Sequence, residues 1–199
     1  MDDIVKQAMA KWPNVPHCYG WLGLDARGNW RMRDERAQHL DLPGDKLTNA
    51  ALVGFIVRNY LRDDRGCWYF QNGPQRVYLN LEATPFIART DPAHGFVLHT
   101  GAPLDNVEEA FITEAGEVIL QAGDIVAQLD DRDVAQVLAT LERDGQPVPD
   151  DALLAWLEDG AGAAPALRIN GRPLTLRTIA RAAVADRFGF RRVPTPAAS

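Results

Sequence analysis

Apolar residues recur at helical spacing in several segments of the chain, which predicts helices that each bury one face. The clearest segment is Leu47–Leu61, where Val53, Ile56 and Tyr60 widen the apolar face. Asp45 or Thr48 is the expected cap of this helix. The helices predicted in this way are residues 1–12, Leu47–Leu61, Asp131–Arg143, Pro149–Glu158 and Leu176–Phe188.

Aromatic and β-branched runs on both sides of turn residues predict β-hairpins. The strongest case is the pair Cys67–Gln71 and Gln75–Leu81, which flanks Asn72-Gly73. The other predicted strand pairs are Tyr19–Asp25 with Asn29–Arg33, Pro85–Thr90 with Phe96–Thr100, Ala110–Thr113 with Glu117–Gln121, and a small hairpin over Leu167–Leu174 around Asn170-Gly171.

The order of these elements predicts an α+β fold. In this fold, antiparallel hairpins pack on the Leu47–Leu61 helix, and a mostly helical C-terminal region with one small hairpin follows. The character of the chain changes after Gly123. We therefore expect a β-rich domain over 1–123 and a helical region over 124–199.

The charge is unevenly distributed along the 199 residues, whose net charge is -6. Residues 165–199 contain seven arginines and one acid, whereas acids are dense over 124–159. We expect the basic end to fold against this acidic stretch; the alternative is a basic patch for RNA or an acidic partner. The acidic total makes nucleic acid an improbable general partner.

Composition also bears on the location of the protein. No run of 18 apolar residues predicts a membrane helix, and the first residues lack the apolar stretch of a signal peptide. Two cysteines cannot form a disulfide scaffold. The expected location is the cytoplasm, with no membrane partner.

The pattern D-x-R-G-x-W occurs twice, at Asp25–Trp30 and at Asp63–Trp68, and Asp91–Phe96 is a looser copy. The structural interpretation is a reused hairpin turn, in which Asp accepts backbone hydrogen bonds, Gly adopts a positive φ and the aromatic residue returns to the core. The functional alternative is a pair of matching ligand loops.

These turns belong to a wider resemblance. Trp30, Leu47, Leu52-Val53, Phe55, Asp64–Tyr69 and Pro85–Ile87 follow one another as in an uncharacterised bacterial family of α+β proteins with repeated motifs. The opening Lys11–Trp21 also resembles uncharacterised proteobacterial proteins of about this length. The resemblance implies a role in signal transduction and supplies no catalytic residue.

Linear motifs of several reaction classes are missing from the sequence. The single serine is Ser199, so no G-x-S-x-G elbow is present. The histidines and cysteines do not show the spacing of a zinc site, and no phosphate-binding glycine loop follows a predicted strand. We therefore predict no metal, no cofactor and no catalytic residue.

Polar and aromatic side chains are concentrated in two segments that could form a ligand pocket. The predicted ligand-binding residues are His17, Tyr19, Trp21, Trp68 and Tyr69. The main hypothesis is a non-catalytic, cytoplasmic binding or regulatory module for a small molecule or a protein partner. One alternative is an enzyme without a linear motif that uses His17, Cys67 or His99. Another is a structural subunit of a homodimer, paired through edge strands.

Overall fold

The computed structural model describes residues 1–160, 162–169 and 171–196. The chain forms two compact units. The first unit combines Met1–Pro85 with the C-terminal residues from Phe188, and the second unit is Phe86–Arg187. The boundaries between these units, after Pro85 and after Arg187, differ from the boundary near residue 123 that the sequence predicts.

The first unit contains a six-stranded mixed sheet within its described residues, in the order β3-β2-β1-β6-β5-β4. β1 and β6 are parallel, and the other neighbours are antiparallel. The strands are β1 (Cys18–Leu24), β2 (Trp30–Met32), β3 (Asp45–Lys46), β4 (Tyr60–Arg62), β5 (Trp68–Asn72) and β6 (Gln75–Leu81). The helices are α1 (Asp3–Lys11), α2 (Glu35–His39) and α3 (Ala50–Arg58).

The helix predicted over Leu47–Leu61 is present as the shorter α3. The side chain of Asn49 accepts a hydrogen bond from the backbone N–H of Leu52 at 3.0 Å and so fixes the start of the helix. At the other end, Tyr60 already belongs to β4 and pairs with Phe70. Phe55 of α3 contacts Phe70 edge-on, with the ring centres 5.3 Å apart, so α3 covers one face of the sheet.

The second unit contains a nine-stranded mixed sheet within its described residues, in the order β13-β12-β14-β15-β9-β10-β11-β7-β8. Its core includes Ile112, Leu120, Ala127 and Leu129, all almost fully buried. The strands are β7 (Phe86–Asp91), β8 (Gly95–Leu98), β9 (Glu109–Ile112), β10 (Val118–Ala122), β11 (Ile125–Leu129), β12 (Glu142–Arg143), β13 (Gln146–Pro147), β14 (Ala166–Ile169) and β15 (Arg172–Thr178). The helices are α4 (Asp131–Leu138), α5 (Asp150–Asp159) and α6 (Val184–Arg187).

The predicted fold class is wrong, because the protein is mostly β and its C-terminal region is not helix-dominated. The clearest error concerns the helix predicted over Leu176–Phe188. Arg172–Thr178 instead forms β15, in which Leu176 pairs with Ala110 of β9. That partner is 66 residues away in the sequence, and local apolar spacing cannot report such pairing. In the described residues after Thr178, only a 3-10 turn at Arg181–Ala183 and α6 follow.

The small C-terminal hairpin is present as β14 and β15, with Leu167 opposite Leu174. Asn170 of its predicted turn lies outside the described residues. The arginines of the basic segment 165–199 form ion pairs mostly with acids that precede the expected stretch 124–159. Arg177 and Arg187, for example, both pair with Glu109. Among the described residues, no helix combines the length and apolar character needed to span a membrane.

The two units share one strand plan. In each, a hairpin (β1–β2 or β7–β8) is followed by a three-stranded meander (β4–β5–β6 or β9–β10–β11), whose last strand runs parallel to the first strand of the hairpin. The meander turns also correspond, because Gln71 and Gln121 each donate from the side-chain amide to the carbonyl of the glycine two residues later. Thr113–Gly116 is thus the counterpart of the Asp63–Gly66 turn.

Candidate functional site

The Asp63–Gly66 turn joins β4 to β5 and is built around one carboxylate. Asp63 Oδ1 accepts hydrogen bonds from the backbone N–H groups of Arg65 (3.0 Å) and Cys67 (2.9 Å), and Gly66 has a φ of 78°. Asp25 makes the same bonds to the N–H groups of Arg27 and Asn29. Both D-x-R-G-x-W copies are therefore turns of one kind, as the structural interpretation predicts.

The two turns differ in the surroundings of their arginines, because three tyrosine rings lie beside the second turn. Tyr78 of β6 is opposite Tyr69 of β5, with ring centres 5.5 Å apart. Tyr19 of β1 stacks on Tyr78 at 4.6 Å, with the planes 6° apart. His17 contacts Tyr78 edge-on at 5.8 Å. The register of β1 against β6 shifts between Cys18 and Leu22, where Gly20 has a φ of 80°.

Two guanidinium groups lie on these rings. The guanidinium carbon of Arg65 is 5.5 Å from the centre of the Tyr78 ring, and that of Arg76 is 4.6 Å from the centre of the Tyr69 ring. Contacts of this kind attract a cation to the face of an aromatic ring. We call the whole set the tyrosine–arginine cluster; its members are His17, Tyr19, Asp63, Arg65, Tyr69, Arg76 and Tyr78.

One carboxylate, Asp63, is bonded within the cluster. Its Oδ2 accepts hydrogen bonds from the hydroxyl of Tyr78 at 3.0 Å and from Nε of Arg65 at 3.2 Å. Another amine of Arg65 donates to the backbone carbonyl of Thr195 at 3.0 Å. The C-terminal segment therefore lies beside the cluster and already occupies part of the Arg65 donor set.

The cluster is electropositive. Burial lowers the pKa of His17, and the charges of Arg76 and Arg65 lower it further. Burial alone would raise the pKa of Asp63, but hydrogen bonds from Cys67, Tyr78 and Arg65 outweigh it and hold that pKa below its ordinary value. The first unit as a whole has 13 Lys and Arg against 10 Asp and Glu, although the complete chain is acidic.

Comparison with known proteins places the chain in a family. A family model with the description "Protein of unknown function (DUF2946)" matches residues 1–195. The chain belongs to this family. The expected membership of an uncharacterised family is thus confirmed, while the suggested role in signal transduction stays a prediction.

Two solved structures of DUF1285 family proteins are similar to this DUF2946 protein. The one from Silicibacter pomeroyi DSS-3 is 14% identical with a TM-score of 0.48, and the alignment covers 90% of this chain and 97% of that chain. The one from Shewanella baltica OS155 is 15% identical with a TM-score of 0.40, and the alignment covers 58% of this chain and 88% of that chain. None of the curated proteins compared with this chain matches it.

The structure brings three of the five predicted ligand-binding residues together, namely His17, Tyr19 and Tyr69. Trp68 lies on the opposite face of β5, where its ring centre is 4.7 Å from that of Tyr60. Successive residues of a strand point to opposite faces, so Trp68 and Tyr69 cannot share a pocket wall. Trp21 is 41% exposed.

Sequence reasoning missed the charged half of the cluster and its central ring, Tyr78. One signal was available, because Arg76 and Tyr78 are two residues apart in a predicted strand and therefore share a face. The antiparallel register then places Tyr78 opposite Tyr69. The sequence indicates only a turn role for Arg65, because the Tyr78 ring beside it and the Tyr19 ring stacked on that ring belong to β6 and β1.

Two residues of the enzyme hypothesis, Cys67 and His99, belong to different units. Cys67 is buried in the first unit, where it packs with Tyr69 and Tyr78. His99 belongs to the second unit, and its Nδ1 accepts a hydrogen bond from the backbone N–H of Ile87. No group of three potential metal ligands is found among the described residues.

We expect Cys67 to react slowly with iodoacetamide near neutral pH. Burial raises the pKa of its thiol, and the charge of Asp63 raises it further, so the reactive thiolate is disfavoured. In a Cys18→Ser background, alkylation followed by mass spectrometry should be on the order of 100-fold slower in the folded protein than in urea. If the folded protein were alkylated as fast as the unfolded chain, the result would contradict this prediction and favour the alternative in which Cys67 is catalytic.

A separate cavity of about 500 Å³ lies within the second unit. Its walls include Thr90, Phe96, Gln136 and Leu167. The charged groups at its rim already have partners: Arg168 pairs with Glu142 at 2.7 Å, and Asp91 accepts two backbone hydrogen bonds within its own turn. This cavity therefore offers fewer unsatisfied charges to a ligand than the tyrosine–arginine cluster does.

Proposed function

We propose that this DUF2946 protein is a non-catalytic binding module whose ligand site is the tyrosine–arginine cluster. The ligand is a small molecule, or a matching group on a protein partner. One observation carries the proposal: two guanidiniums lie over adjacent tyrosine rings, and the carboxylate beside them, Asp63, is bonded to Arg65 and to the Tyr78 hydroxyl. Such a site holds more positive charge than its own residues balance.

The electrostatics of the cluster favour binding over catalysis. Burial raises the pKa of Tyr78 and that of Tyr69, so both phenols stay protonated near neutral pH. Asp63 already accepts two backbone N–H bonds and two side-chain bonds, which leaves it a poor base. A site that offers hydrogen-bond donors but no nucleophile is suited to bind a ligand rather than to react with it.

A regulatory role fits the same site. The backbone of Thr195 bonds to Arg65, so a ligand that takes up Arg65 also acts on the C-terminal segment. A change there could be read by another protein, which is one form of signal transduction. Two unpaired thiols, Cys18 and Cys67, are in keeping with a cytoplasmic location for this module.

Native mass spectrometry with a matched variant pair tests the proposed function. The purified protein is mixed with a panel of nucleotides, sugar phosphates, amino acids and carboxylic acids. We expect the wild type and Arg27→Gln to retain a ligand mass that the double variant Arg65→Gln/Arg76→Gln loses. Arg27 occupies the matching position of the other turn, so the control removes charge from an equivalent site.

Two results would contradict the proposal. One is a ligand mass that all three proteins retain equally, because the ligand would then bind outside the cluster. The other is the absence of any retained mass on the wild type.

A further inference from the structure

Arg76 carries a positive charge that the protein leaves without a carboxylate partner. In the part of the chain that the structure describes, no ion pair joins this arginine to an acid. Its neighbours are the ring of Tyr69 and the phenol of Tyr78. The charge of Asp63 acts on Arg76 without pairing with it, so the guanidinium of Arg76 is suited to an anion from outside.

The stacking also orients the donors. A guanidinium that lies over an aromatic ring can still donate to an acceptor from the N–H groups along its edge. Arg65 and Arg76 both lie beside the Tyr78 hydroxyl: hydrogen bonding to Tyr19 and then to Tyr78 raises the pKa of Arg65, and hydrogen bonding to Tyr78 raises that of Arg76. The two guanidiniums therefore approach one point in the cluster, the hydroxyl of Tyr78, whose own proton is donated to Asp63.

We propose that Arg65 and Arg76 bind the phosphate group of a small phosphate monoester. This inference rests on the proposed function, since it names the ligand class of the same site. A carboxylate is satisfied by one guanidinium fork, whereas a phosphate monoester has three terminal oxygens and a charge of about -1.5 to -2. Two arginines with one internal carboxylate match the larger anion better.

The existing hydrogen bonds of Arg65 indicate that it binds the phosphate after Arg76 does. Its Nε is bonded to Asp63, and one amine is bonded to the Thr195 carbonyl. A phosphate bound at Arg76 competes for the amine that Thr195 now holds. Arg76 is therefore the anchor, and Arg65 closes on the anion by exchanging a neutral carbonyl for a charged oxygen.

Isothermal titration with three matched probes tests this inference. Phenyl phosphate, benzoate and phenol share one ring and differ in the group attached to it. We expect phenyl phosphate to bind, benzoate to bind at least about tenfold more weakly, and phenol to give no measurable heat. Arg76→Gln should weaken phenyl phosphate binding on the order of 100-fold, while Arg27→Gln should leave it unchanged.

A second readout separates binding from loss of structure. Near-ultraviolet circular dichroism of the stacked tyrosines shows whether the Arg76→Gln variant keeps the cluster intact. In the wild type, the proton signals of His17 should titrate at higher pH with phenyl phosphate bound, because the added negative charge offsets Arg76 and Arg65.

The outcomes separate the two proposals. Equal affinity for benzoate and phenyl phosphate would overturn the phosphate assignment and leave the binding module standing. Failure of phenyl phosphate to bind would overturn the assignment as well, and the mass spectrometry panel would then decide whether the cluster binds any ligand. Full phenyl phosphate binding by a folded Arg76→Gln variant would place the anion elsewhere.

Discussion

Replacement of Gly66 by alanine is expected to lower the free energy of unfolding of the first unit by at least about 3 kcal/mol. Gly66 has a φ of 78°, and a Cβ placed on it would lie 2.2 Å from the backbone carbonyl oxygen of Gly189. Backbone cannot move aside as a flexible side chain can. The alanine would therefore separate the turn from the C-terminal segment, including the hydrogen bond from Arg191 N–H to the Gly66 carbonyl.

Gly116→Ala is the matched control. Gly116 occupies the corresponding turn of the second unit and has a φ of 80°, but a Cβ there meets nothing within 4 Å. Only the cost of the left-handed backbone remains, about 1 kcal/mol. Urea unfolding, monitored by tryptophan fluorescence and far-ultraviolet circular dichroism, measures the free energy of unfolding of both variants. Equal losses for the two variants would show that the contact with Gly189 contributes nothing.

Asp63→Ala is the second change with a large expected effect, a loss of about 3 to 4 kcal/mol. The side chain of Asp63 is only 9% exposed, and the substitution removes the acceptor of two backbone N–H groups, one phenol and one guanidinium. Asp63→Asn should cost about half as much, since its amide oxygen can still accept both backbone bonds. Urea unfolding checks the order of the two variants.

Acid should reduce the same contribution. Because the pKa of Asp63 is lower in the folded protein than in the unfolded chain, its stabilisation is complete above the unfolded value of about 3.8 and is lost as pH falls through the folded value. The stability difference between the wild type and Asp63→Asn should therefore shrink below about pH 4. A difference that stays constant down to pH 2 would mean that the charge of Asp63 is not what stabilises the turn.

Local sequence patterns predicted the hairpins well because their turn chemistry is local. Asn72-Gly73 and the two D-x-R-G-x-W turns lie where the sequence places them. The C-terminal region failed for the opposite reason. Apolar residues follow Leu176 at helical spacing, which predicts a helix. The segment instead forms a strand, because Leu176 pairs with Ala110 of β9, and the local sequence around residue 176 carries no information about that distant partner.

The candidate site was half predictable by the same logic. His17, Tyr19 and Tyr69 stood out as polar and aromatic residues in short segments, and the structure brings them together. Arg76 did not stand out, because a single arginine in a strand is usually solvated. Its role emerges only from the register that sets Tyr78 beside Tyr69 and from the ring that covers one face of the guanidinium.

The most direct test of the central claim is NMR of the arginine side-chain Nε–H groups during titration with phenyl phosphate. If the tyrosine–arginine cluster is the ligand site, the signals of Arg65 and Arg76 shift and saturate together, while those of Arg27 and Arg58 stay in place. Saturable shifts confined to arginines outside the cluster, such as Arg168 at the rim of the second-unit cavity, would contradict the account.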